Sequence, residues 1–135
     1  RCDSMSENVD RVKGHLLDLD LKIVSENEAE ELVVVDDEDN GIKQLVIDCE
    51  PPIIILEQLI GEVPAEPGDL FKRLLQMNNT LVHGAFVLDE TGGRIFFRDT
   101  LQLANLDLNE LEGSIRSLSL ALAEYGAELL TYLGK

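Results

Sequence analysis

Apolar residues recur along this chain in two rhythms, one of three and four and one of two. Val9, Val12, Leu16 and Leu19 make a single stripe at helical spacing, which predicts a first helix over about residues 6–19. The Ser6 hydroxyl is placed to cap its start. Strand-like segments follow at 32–36, 42–49 and 53–60. Asn40-Gly41 supplies a hairpin turn between the first two, and Glu50-Pro51-Pro52 breaks the run before the third. Leu70, Phe71, Leu74 and Leu75 predict a second helix over about 69–77, opened by Pro67-Gly68 and stopped by Asn78-Asn79. A second hairpin spans 84–89 and 94–103 around Glu90-Thr91-Gly92-Gly93. The last helix is the strongest pattern, because Leu108, Leu111, Ile115, Leu118, Leu122, Tyr125, Leu129 and Tyr132 keep spacings of three and four without a slip. Asp107 and Glu110 form a capping box at its start, Leu106 and Leu111 a hydrophobic staple, and Gly134 is placed to end it.

Short connections between neighbouring strands favour antiparallel pairing. The fold class is therefore α+β, an antiparallel sheet with helices mainly on one face, in the order α-β-β-β-α-β-β-α. Such a sheet normally alternates apolar and polar residues, yet Val33-Val34-Val35 and Ile53-Ile54-Ile55-Leu56 do not alternate. Both faces of those strands are then apolar. Either the first helix or a loop covers the excess, or these are simply central strands, or a second chain covers it. In the last case the outward set is Val33, Val35, Ile53 and Ile55, or the opposite parity, Val34, Ile54 and Leu56.

Composition narrows the function. A length of 135 residues fits one domain, read as 5–135, with Arg1–Ser4 as a non-native remnant ahead of a natural start at Met5. Aromatics are only 4% and Trp is absent, so Leu, Ile and Val must fill the core. Eleven Lys plus Arg stand against 27 Asp plus Glu, a formal charge of -16. Such a field repels phosphate backbones and anionic membranes and favours basic or amphipathic partners, so no nucleic acid and no membrane insertion are expected. No apolar run is long enough to span a bilayer, and a cytoplasmic location is expected. Cys2 falls in that remnant and Cys49 in an apolar strand, where a buried, inert thiol is expected. Two cysteines are too few for a disulfide framework or a zinc site.

Chemistry is thin. The acidic turn at 36–41 mimics an EF-hand loop with Asp36, Glu38, Asn40 and Gly41, but its twelfth position is Ile47, where a bidentate carboxylate is needed. A solvated hairpin turn explains it. His15 and His83 have no nucleophile or metal-ligand spacing around them. Gly92-Gly93 lacks the strand-to-helix setting of a phosphate loop. No catalytic, cofactor-binding or metal-binding residue is assigned, and no enzyme is expected.

From about Leu59 to Leu130 the pattern resembles the CesT/Tir-type secretion chaperones and the related YbjN-like domains. The resemblance is carried by Gly61 to Pro64, LFKRLLQMNN at 70–79, GAFVLDETGGRIFFRDTLQLANLD at 84–107, and the long terminal helix. It implies a domain that often dimerises and, in the chaperones, carries a partner's extended segment over apolar patches. It also makes Phe71, Leu74 and Leu75 the candidate dimer contacts. The expected function is thus a homodimeric, chaperone-like protein that holds another polypeptide on an apolar sheet face or edge. The alternatives are a YbjN-like regulatory adaptor recognising a folded partner and, further off, a small-molecule-binding domain or enzyme built from scattered residues.

Overall fold

The computed structural model describes the backbone of residues 2–133 and the side chains of residues 7–133. Helix α1 (Cys2–Asp18) begins four residues before the expected start. Ser6 therefore lies inside the helix, and its side chain is outside the described residues. The predicted stripe docks as read: Val12 and Leu16 are buried, and Val9 and Leu19 pack against them at the margin of the core. Arg11 adds a tie, donating from Nη2 to the Leu103 carbonyl at 2.7 Å.

The strands are β1 (Lys22–Asn27), β2 (Leu32–Asp37), β3 (Ile42–Glu50), β4 (Ile53–Glu62), β5 (Ala85–Leu88) and β6 (Arg94–Gln102). They form one antiparallel sheet in the order β1-β2-β3-β4-β6-β5. The expected α+β architecture is present, and β1 is an additional edge strand. Its sequence gives little sign of pairing, because Ile23 alone packs inward and a register shift follows between Ile23 and Ser25.

The β2–β3 connection is a single 3₁₀ turn (Glu38–Asn40) followed by Gly41 at φ 78. That left-handed conformation is disfavoured for residues with a side chain. Gln58 on β4 locks the turn from beneath, accepting from Lys43 N–H at 3.1 Å and donating to the Gly41 carbonyl at 3.2 Å. Those two bonds explain how a buried glutamine is tolerated there.

Helix α2 (Leu70–Asn78) crosses from β4 to β5 and buries Leu70, Leu74 and Met77. Helix α3 (Leu108–Leu133) buries Leu111, Ile115, Leu118, Ala121, Tyr125 and Leu129. Its capping box is formed in both directions: Glu110 N–H donates to Asp107 Oδ1 at 2.8 Å, and Asp107 N–H to Glu110 Oε1 at 3.4 Å. Gly134, expected to end this helix, lies outside the described residues. A two-pronged Arg73–Glu128 ion pair joins α2 to α3, as does the Thr80–Tyr125 hydroxyl contact from the turn after α2. Gly84 enters β5 at φ +75, with Phe97 so near that a Cβ would lie 2.4 Å from its ring. Side chains from all three helices join one core with one side of the sheet, and Phe86 meets Phe97 edge-on within it at 5.8 Å.

Candidate functional site

The side of the sheet facing away from that core is uncovered by any described helix. Cross-strand pairing sets its side chains in rows. Val34, Val46, Glu57, Arg98 and Ala85 form one row; Leu32, Asp48, Ile55 and Thr100 the next; Glu50, Ile53 and Gln102 a third. Leu32, Val34, Val46, Ile53 and Ile55 are partly buried, and their accessible parts make an apolar patch spanning β2, β3 and β4. Leu59, Phe96 and Val87 make a second apolar row nearer β5. The Glu57–Arg98 ion pair, at 3.5 Å, lies between the two patches.

Register also corrects the expected grouping. Val33 and Val35 are 1% and 0% exposed and face the helices, through the row Val33, Ile47, Leu56. They are core residues, as are Ile54 and Leu56, whereas Ile53 and Ile55 sit on the open side with Val34. Odd positions on β2 thus share a face with even positions on β4. The turns between strands set the register, and number parity does not carry across them. The nonalternating runs do present apolar side chains to both faces.

On α2, Leu74 is 4% exposed and belongs to the core, which removes it as a dimer contact within this fold. Phe71 and Leu75 are exposed at 39% and 72%. The buried stripe runs through Leu70, Leu74 and Met77, because a helix turns by 3.6 residues and Phe71 and Leu75 fall on the next stripe.

Asp48 was not singled out from the sequence, yet it occupies the middle of the open patch. Leu32 and Ile55 flank it across the strands. Its Oδ1 is shielded from solvent and has no hydrogen-bond partner among the described residues. Burial, then a hydrogen bond with the Glu50 side chain and that carboxylate's charge, then Glu30 and Glu57, push its carboxyl up to about 6. The available signal was a lone acid inside the strand run LVIDC. On the opposite side of β3, burial pushes the Cys49 thiol up to about 11, so it is the inert core cysteine expected.

The acidic turn uses its carboxylates locally. Asp37 accepts from Asn40 at 2.8 Å and Asp36 from Gln44 N–H at 2.7 Å. Among the described residues no group of His, Cys, Asp and Glu is arranged to hold a metal. His83 is exposed, and its carbonyl accepts from Ser117 Oγ at 2.7 Å. A shallow open groove of about 590 Å³ lies beside it, between α3 and residues 80–83, with Val82 and Leu120 exposed along it.

The family model CesT_Tir_1 matches residues 5–135. No curated protein sequence matches the chain. Among solved structures, YbjN, a candidate transcription regulator from E. coli, superposes with a TM-score of 0.70 at 16% identity, over 90% of this chain and 92% of that one. The HopA1–SchA chaperone–effector complex gives 0.61 at 15%, over 87% and 94%. The heterodimeric ExoU–SpcU complex from the type III secretion system of Pseudomonas aeruginosa gives 0.50 at 20%, over 66% and 73%. At these identities the likeness is one of fold.

Proposed function

The chain belongs to the CesT_Tir_1 family, and from that premise we propose that it is a non-catalytic, chaperone-like protein holding a partner polypeptide on the open face of its sheet. The observation that carries this reading is the apolar patch of Leu32, Val34, Val46, Ile53 and Ile55, which no described helix covers. Apolar surface of this kind on a sheet marks a contact site. Likeness to the HopA1–SchA chaperone–effector complex supports the same reading. The charge of -16 adds a field that steers basic partners in and keeps nucleic acid away. A cytoplasmic site of action fits this role, and no described helix is long and apolar enough to cross a membrane.

The test replaces Ile53 and Ile55 together with serine. Both side chains are partly buried, so the double change should cost about 2–3 kcal/mol and still leave a folded chain, which a thermal melt checks. The variant should no longer co-purify the protein that wild type retains from native cells. Retention of that protein would place the binding surface elsewhere. Phe71 and Leu75 on α2 form the proposed dimer contact, and sedimentation at micromolar concentration tests it. Dimeric wild type and a monomeric Leu75→Glu variant are expected; monomeric wild type removes the dimer.

A regulatory adaptor is the second reading, favoured by the superposition on YbjN over nine-tenths of the chain. An adaptor needs its partner folded, whereas a chaperone of this kind binds isolated segments of it. Binding of partner fragments in isolation separates the two.

A further inference from the structure

We infer that the segment taken by the open face carries an arginine or lysine set among apolar side chains, with Asp48 as the carboxylate that receives it. This rests on the open face being the binding surface.

Asp48 stands at the centre of the patch, with Leu32 and Ile55 beside it in register and Val46 and Glu50 before and after it on the same side of β3. Its shielded Oδ1 lacks a partner among the described residues. Arg98, on the same face, is engaged by Glu57 at 3.5 Å. Burial, the hydrogen bond with Glu50 and that carboxylate's charge already disfavour ionised Asp48 before anything docks. A wholly apolar segment laid across the patch would strip the remaining water from this carboxylate and leave its charge without a cation beside it, which opposes binding. A segment that brings a cation to the same point relieves both the desolvation and the repulsion from Glu50 and Glu57. An arginine or lysine can donate to the other carboxylate oxygen while its stem lies on Ile55 and Leu32.

The same charges argue against the other occupants. Two copies of this chain packed face to face would oppose Asp48, Glu50 and Glu57 with one another. Phosphate-bearing ligands meet the same repulsion. The face therefore discriminates among apolar segments by a charge requirement at its centre, a repulsive element built into an adhesive surface.

The experiment selects a displayed library of random linear peptides on the full chain, with Asp48→Asn and Ile55→Ser variants in parallel. Wild type should enrich peptides that carry a basic residue flanked by apolar ones. The best of these, synthesised and titrated by fluorescence anisotropy, should bind Asp48→Asn about tenfold more weakly. Replacing its basic residue with glutamine should weaken binding to wild type by a similar factor and to Asp48→Asn hardly at all, the signature of a direct pair. Enriched peptides without a basic residue, or equal affinity for Asp48→Asn and wild type, overturn the inference while the binding face stands. Failure to enrich any peptide, or undiminished binding to Ile55→Ser, overturns the binding face itself and the inference with it.

Discussion

Replacing Asp48 with asparagine takes a charge out of an apolar neighbourhood, and the effect on stability has a definite direction. Its carboxyl sits near 6 in the fold against an ordinary 3.8, so the folded chain holds this proton more tightly than the unfolded chain does. Ionised Asp48 therefore destabilises the fold above about pH 6. The penalty shrinks between about 6 and 4 and is gone below both values. Asp48→Asn should melt higher than wild type at neutral pH, by about 1 kcal/mol given the solvent screening at a partly exposed site. The gap should close as the pH falls to about 4. A gap unchanged across that range would mean that Asp48 carries no perturbed carboxyl. Little of this site was legible beforehand. The runs at 33–35 and 53–56 did announce a two-faced apolar sheet, but which residue faces outward depends on register. Nothing in the sequence marks Asp48, because its neighbours Leu32 and Ile55 lie far from it along the chain.

Among the elements, α3 was the most legible and β1 the least, for opposite reasons. Helix α3 carries its own instructions: a reciprocal cap at Asp107 and Glu110, a staple at Leu106 and Leu111, and a stripe that runs without interruption to Tyr132. Strand β1 forms because β2 offers it hydrogen bonds, while five of its six side chains remain exposed. Local periodicity records what a segment buries, so an edge strand that buries almost nothing leaves no trace. Two substitutions separate the parts of α3. Asp107→Ala should cost about 1 kcal/mol, since it frees one amide at a solvent-exposed helix end. Leu118→Asp puts a carboxylate where a 1%-exposed leucine packs, and should cost at least about 3 kcal/mol. Denaturant titration of both variants distinguishes them, and similar losses would mean that the Leu118 side of the helix is not core.

For the whole molecule, a one-sided layering leaves one sheet face packed under three helices and the other open. The strand order has a further effect. Strands β1 to β4 form a meander and β5–β6 a hairpin, so each pairs neighbours in sequence. Within the sheet the two halves pair along β4 and β6, from Ile53 opposite Gln102 to Glu62 opposite Arg94. Local hairpins close in microseconds, whereas that seam must first gather a long intervening loop. The seam should therefore sit in the folding transition state and set the refolding rate. Ile54→Val on the seam is expected to slow refolding, and Val12→Ala on α1 chiefly to hasten unfolding. Stopped-flow chevrons read both, and an unslowed Ile54→Val would remove the seam from the nucleus. Until it closes, the β4 run IIILEQLI stands as a bare apolar edge, the point at which crowded refolding would divert this chain into aggregates.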